Sequence, residues 1–333
     1  MINLNKLNTL NKLNTKKNIN NVRIYLKILI ICVVFLKNIC SETIKQKCND
    51  NKIQNINKQT PKYINYMDNI NNVDVTQKVL IDINFYYIYE KDNFVKESII
   101  ESGRQQVNNL NNAFNKPNYK SNINFRFYNL EFVKNKKYAK GCDKKESQYK
   151  KEYYRDMNQV INVYICPDRN YLGWAYIPTS WQENHFMYGI VIHPETLPGS
   201  KNNLYNLGHT LTHELGHFFG LLHTFNSNRI CSNNGDDGFT DTPLESTPSY
   251  ECNYDKDSCP NCPGKDPVWN YMDYSYDTCL THFSKQQIIK MRFILITKKK
   301  NLYENSLNNY NLITQQPTVN CKCIKRGKRK ITI

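Results

Sequence analysis

The stretch that decides the fold is HELGHFFGLLH, residues 213–223. On a helix over 207–219, His213 and His217 lie four residues apart on one face, one turn above the other. Their imidazoles can then converge on one ion. Glu214 sits beside the first of them, placed to reach a water on that ion rather than the ion itself. Leu211, Leu215, Phe218 and Phe219 supply buried faces. Gly220 can take the left-handed conformation that ends a helix and reverses the chain. After that turn, His223 can return as third ligand. Three histidines and one open position is catalytic rather than structural zinc geometry. Such an ion lowers the pKa of a bound water towards 7 and polarises a carbonyl, while Glu214 takes the proton and later returns it to the leaving amine.

HExxH alone arises by chance in roughly one chain per hundred of this length, and the added Gly and His lower that by roughly another thousandfold. An ordinary helix with satisfied histidines is therefore the weaker reading. His209 lies on the same stripe, four before His213, but the third ligand already comes from beyond the turn. It is read as a structural residue of the first turn. His185, His193 and His282 have no metal spacing and read as structural or solvated.

Upstream, Val79, Ile81, Ile83 and Phe85 alternate with other residues and predict a strand. Helical spacing follows at 94–114 (Phe94, Ile99, Val107, Leu110, Phe114). Further strands are predicted at 122–132, 160–165, 171–177 and 187–193. The charged, Tyr-rich segment 134–158 reads as an irregular insertion. Strand, helix, strands and then the histidine segment together predict an α+β fold, a mixed sheet with packed helices.

The 333 residues carry a formal charge of +16, which resembles a nucleic-acid signal until it is located. Residues 1–41 contribute +7 and residues 298–333 contribute +8, leaving +1 on the body between them. A basic groove is therefore not expected, and no nucleic-acid partner with it. The first twenty residues are low-complexity, with LNKLNT at 4–9 repeated at 10–15. The apolar run Ile24–Leu36 is too short to span a membrane but fits a secretory h-region behind a basic n-region. The reading is a leader with signal peptide at 1–41, a propeptide or N-terminal extension at 42–77, a catalytic domain at 78–297 and a basic tail at 298–333. No transmembrane segment is expected in the mature chain. Export leaves ten cysteines, an even set that reads as a disulfide framework in an oxidising compartment. CPNC at 259–262 has CxxC spacing, but no strand–helix context supports a redox or zinc role.

HExxHxxGxxH followed by a Met-containing turn marks the metzincin zinc peptidases. The chain resembles their pappalysin family, which includes ulilysin-like enzymes and secreted fungal metalloproteases. The blocks that carry the resemblance are LGWAYIP (172–178), YNLGHTLTHELGHFFGLLHTF (205–225), CSNNGDDGFTDTP (231–243) and DPVWNYMDYSYDTC (266–279). It implies a twisted mixed sheet, an active-site helix and a C-terminal subdomain with a Met-turn. Met272 would be the floor beneath the zinc, and Tyr274 an oxyanion-stabilising group. It also implies disulfides Cys231–Cys259 and Cys252–Cys279, and a calcium site at Asp237, Thr240 and Thr242, for which a solvated acidic turn is the other reading. Leu172, Gly173, Trp174 and Ala175 would form the cleft edge to which a peptide adds as a strand. Core packing is the alternative for the Trp174 side chain.

Three features depart from the family pattern. Some relatives prefer a basic residue beside the cut because of an Asp just before the last cysteine. Here Thr278 holds that position and Asp277 is its neighbour. Cys48 could act as a latency cysteine but lacks the usual glycine, and a disulfide is the other reading. The tail adds Cys321, Cys323 and a KRGKRK cluster, with pairing of Cys142, Cys166, Cys262, Cys321 and Cys323 left open. The expectation is a secreted, monomeric zinc endopeptidase acting on proteins or peptides. The alternative is a metal-binding adhesion module on the same scaffold without turnover.

Overall fold

A computed structural model describes residues 46–48, 73–225, 230–231 and 237–315. The leader, most of the 42–77 extension, the side chain of Cys48, and Cys321, Cys323 and the KRGKRK cluster lie outside the described residues. The elements in chain order are β1 (Gln46–Cys48), β2 (Val79–Tyr89), α1 (Lys96–Phe114), β3 (Asn115–Lys116), β4 (Tyr119–Lys120) and β5 (Ile123–Lys134). Then come α2 (Lys136–Ala139), α3 (Glu146–Glu152), β6 (Val160–Ile165), β7 (Tyr171–Trp174), β8 (Ile190–Ile192), α4 (His209–Phe218), α5 (Lys285–Lys298) and α6 (Lys300–Gln315).

Six strands form one mixed sheet in the order β1-β7-β8-β6-β2-β5. β2 runs parallel to β5 and β6, and β6 parallel to β8, whereas β7 is antiparallel to β8. The α+β expectation holds. β2 shows why the sheet is buried on both faces. Its odd positions, Val79, Ile81, Ile83, Phe85 and Tyr87, join the core that also holds Val107 and Leu110 of α1 and Leu211 and Leu215 of α4. Its even positions Tyr86 and Ile88 join a second core with Tyr138, Tyr149, Tyr164 and Trp174. The polar residues on that even face are paired: Asp82 accepts both hydrogen bonds of the Arg126 fork (2.6 and 2.7 Å), and Asn84 accepts from Arg155 Nε (3.1 Å).

Three expectations are corrected. Segment 134–158 is not irregular: it holds α2 and α3, and Cys142–Cys166 ties it to the end of β6. The predicted strand 187–193 is a strand only over 190–192. Phe186–Tyr188 form a 3-10 turn, because the His185 side chain accepts the Met187 N–H and the Tyr188 hydroxyl bonds back to the Pro178 carbonyl. β7 stops at Trp174 for the same reason, since its partner β8 has only three residues. Within the segment read as a basic tail, residues 300–315 form α6, with Leu302 buried and Asn309 donating to the Leu80 carbonyl of β2 (3.3 Å). Among the described residues, no helix is long and apolar enough to cross a membrane.

Lys299, between α5 and α6, is buried with its Nζ 3.2 Å from the Tyr188 ring centre and 4.7 Å from that of Phe218. It has no hydrogen-bond partner among the described residues. Burial pushes its pKa down to about 7. The folded value lies below the unfolded one, so the cost to stability is full below about pH 7 and shrinks as pH rises towards 10.5. Lys299→Met should therefore raise Tm, with the largest gain near pH 6 and little gain near pH 10. Calorimetry across that range checks it, and a gain that grows with pH would contradict the assignment.

Candidate active site

The helix that carries the histidines begins at His209, two residues later than its sequence pattern suggests, after Gly208 at φ 83°. No side chain of its own caps it. Asp277, from beyond the Met-turn, does so instead: its Oδ2 accepts the N–H groups of Leu207 (2.9 Å) and His209 (3.2 Å). A carboxylate there also complements the positive end of the helix dipole. Asp277 is thus turned inward and buried, whereas Thr278 is exposed. The helix ends at Gly220, φ 86°, where Gly220 N–H donates to His217 O (2.8 Å) and Leu221 N–H to Gly216 O (2.9 Å). A left-handed glycine with these two bonds closes the helix and reverses the chain.

The reversal places His223 against the helix. The Nε2 atom of His217 lies 3.1 Å from that of His213 and 3.1 Å from that of His223. Tetrahedral coordination with metal–nitrogen bonds of about 2.0–2.1 Å separates ligand atoms by roughly 3.3 Å, so this spacing fits a shared ion. The outer nitrogens support the same reading. His213 Nδ1 is 2.7 Å from the Tyr271 carbonyl and His217 Nδ1 is 2.8 Å from that of Leu221. A carbonyl can only accept, so both Nδ1 atoms carry the proton and both Nε2 lone pairs face inward. Burial pushes the His217 pKa down to about 4, which keeps that ring neutral and ready to ligate. Among the described residues, no other group of three His, Cys, Asp or Glu side chains gathers closely enough to share an ion.

Glu214 is fully buried on the adjacent helix position. Gly173 of β7 lies against it: a Cβ on Gly173 would stand 3.0 Å from Glu214 Oε1. Met272 lies beneath the helix, where a side chain on Gly216 would overlap its sulfur. The Tyr274 ring packs 4.9 Å from His223 and 5.8 Å from His213. Of the cleft-edge residues, Leu172, Gly173, Trp174 and Ala175 are all buried, and Trp174 points into the second core, as core packing requires.

His209 stays outside the cluster, its ring against Tyr271 (4.9 Å). His185 stacks on Trp181, His282 on Trp269, and His193 accepts the Glu195 N–H. None of the four belongs to the three-histidine group. At Asp237 both carboxylate oxygens accept from the Thr242 hydroxyl (2.9 and 2.8 Å), whereas the Thr240 hydroxyl accepts from Gln286 (2.8 Å). Cys231–Cys259 and Cys252–Cys279 are bonded, and Cys262 is a free thiol.

The pattern of residues did not reveal a buried network around the Met-turn. Glu245 accepts from Thr224 Oγ1 (2.8 Å), Ser249 Oγ (3.1 Å) and Lys256 Nζ (3.0 Å), while Asp273 accepts from the Ser249 and Tyr274 N–H groups (2.9 and 2.7 Å). Burial and the neighbouring Asp273 push the Glu245 carboxyl well above its ordinary range. Such acids look like any loop acid in a sequence, and only the fold brings them together.

Residues 143–296 match the peptidase M43 family described as pregnancy-associated plasma protein-A. An extracellular metalloprotease of Neurospora crassa is 38% identical over 222 residues, 65% of this chain and 75% of that protein. The chain belongs to the pappalysin family of metzincin metallopeptidases. An extracellular metalloprotease of Colletotrichum graminicola is 45% identical over 152 residues, covering 45% of this chain and 54% of that protein. In fold, this pappalysin resembles a promirolysin mutant from Tannerella forsythia, with TM-score 0.64 at 22% identity, covering 80% of this chain and 99% of that one. A metallopeptidase family implies a metal, and the three imidazoles form a group that could hold one.

Removing the carboxylate in Asp277→Ala strips two N–H groups at the start of the active-site helix of their acceptor. The variant should lose about 1–2 kcal/mol of stability, and zinc affinity should fall with it. Denaturant unfolding and competition with a zinc chelator measure the two. Unchanged values in both would show that water caps the helix equally well.

Proposed function

We propose that this pappalysin is a secreted zinc endopeptidase in which His213, His217 and His223 hold the ion and Glu214 moves the proton. The observation that carries the proposal is the convergence of three inward Nε2 atoms beside a buried carboxylate. When bound, zinc polarises the scissile carbonyl and acidifies water. Glu214 then acts as base and acid within a site that excludes bulk solvent, its carboxylate held between α4 and Gly173. The Tyr274 phenol donates to the developing oxyanion. Met272 packs the floor.

The peptide backbone adds to β7 over Leu172, Gly173, Trp174 and Ala175, an edge whose side chains are already committed to the core. A mirolysin from Tannerella forsythia was solved with a cleaved peptide, which supports a peptide substrate for this fold. β1 lies beside β7 in the sheet order, so the stretch 42–77, read as a propeptide or N-terminal extension, would have to give up that pairing before a substrate strand could take it. Secretion rests on relatives named as extracellular and on three disulfides. Calcium at Asp237, Thr240 and Thr242 would use carboxylate and hydroxyl oxygens, ligands that suit a hard cation.

The purified protein should contain one zinc per chain, cleave a quenched peptide and lose that activity to a chelator. Glu214→Ala should keep the zinc and lose on the order of 10²–10⁴ in kcat. Zinc binding without turnover in the unaltered protein would favour the adhesion-module alternative. Undiminished cleavage by Glu214→Ala would remove Glu214 from the mechanism.

A further inference from the structure

α3 is a short helix in a segment whose sequence suggests solvent exposure, yet two of its charged residues are buried. Glu146 is 5% exposed and Lys150 is inaccessible. Glu146 Oε1 accepts from Lys150 Nζ (2.6 Å) and from Trp174 Nε1 (2.6 Å), and its Oε2 accepts from the Tyr176 hydroxyl (2.9 Å). Lys150 Nζ also donates to the carbonyls of Met187 (3.2 Å) and Gly189. One ion pair therefore grips two stretches of chain: 174–176 at the end of β7, and 187–189 just before β8. β7 and β8 pair with each other, Gly173 opposite Ile192 and Trp174 opposite Val191. The disulfide Cys142–Cys166 fastens the segment that carries the pair to the end of β6.

The grip acts next to the reacting groups. Gly173, the residue before Trp174, faces Glu214 with only enough room for hydrogen: a Cβ there would also stand 3.0 Å from the Thr210 methyl and the Val191 carbonyl. A side chain at 173 would therefore force β7 or its neighbours to give by a few tenths of an ångström. A buried ion pair is a poor source of stability, because apolar residues of the same volume serve as well or better. What it adds is direction. Each of its four anchoring bonds has a fixed geometry, and the tryptophan and tyrosine bonds fix the course of the chain at the cleft edge.

We propose that Glu146 is a positioning residue for peptide cleavage, holding β7 through Trp174 and Tyr176 in register with Glu214. The proposal rests on the reading of β7 as the strand that receives substrate and of Glu214 as the proton carrier. Its action falls on peptides long enough to lie along β7.

Two variants test it in the full chain. Tyr176→Phe removes one tether and keeps the ring. Glu146→Gln combined with Lys150→Met removes the pair without leaving a buried lysine uncompensated. Kinetics are measured on an extended peptide of about ten residues and on a minimal one of about four, with zinc content as a control. For the extended peptide, KM should rise about threefold in Tyr176→Phe and about tenfold or more in the double variant. For the minimal peptide, kcat/KM should change less than about twofold. A purely structural role lowers Tm but treats both peptides alike, and that outcome, or no change for either, overturns the proposal. If the double variant fails to fold, Tyr176→Phe alone decides by the same comparison. Absence of cleavage by the unaltered protein, or cleavage independent of Glu214, would sink the reading of the site instead.

Discussion

Everything at this centre depends on holding three imidazoles with their lone pairs aimed at one point. Helical spacing brings His213 and His217 to the same side, but it leaves their rings free to rotate. Rotation is stopped by two backbone carbonyls from different segments of the chain. Leu221 O, just past the left-handed Gly220, takes the proton of His217 Nδ1, and Tyr271 O, at the Met-turn, takes that of His213. Each acceptor fixes both the ring angle and the tautomer. The Met-turn is therefore a ligand-orienting element as well as a floor.

That turn must itself be held, because the described residues between 225 and 279 contain no helix or strand. Two disulfides staple the stretch, and buried carboxylates do the rest. Glu245 links Thr224, directly after the third histidine, to Ser249, and Ser249 in turn donates its N–H to Asp273 in the Met-turn. Asp277 then returns to the start of the active-site helix. The chain from helix to third histidine to Met-turn and back closes on itself through buried polar contacts. Such a network is costly when half satisfied and rigid when complete.

β7, the strand proposed to receive the peptide, is supported differently. β7 is antiparallel to β8 and is held from behind by α3 rather than by disulfides of its own. β7 and the turn at Met272 therefore have separate supports, and Gly173 brings β7 against Glu214.

The histidine spacing, Gly220 and the alternation in β2 were all legible from residue order alone, because each is a local regularity: a helical turn, a residue without a Cβ, a two-residue period. Family resemblance added the Met-turn and two disulfides, and the structure contains both disulfides. Other features could not be read that way. Helices in 134–158, the 3-10 turn at 186–188 and the docking of Lys300–Gln315 depend on partners far away in the chain. The same holds for Glu146 beneath Trp174, the Asp277 cap and the Glu245–Asp273 network. A charged residue in a polar stretch has the composition of a solvated surface, and it becomes an anchor only when packing removes its water and leaves another side chain as its partner. Sequence by itself determined which atoms can bind the metal; tertiary structure decided what holds them still, since orientation is set by contacts between segments that residue order does not join.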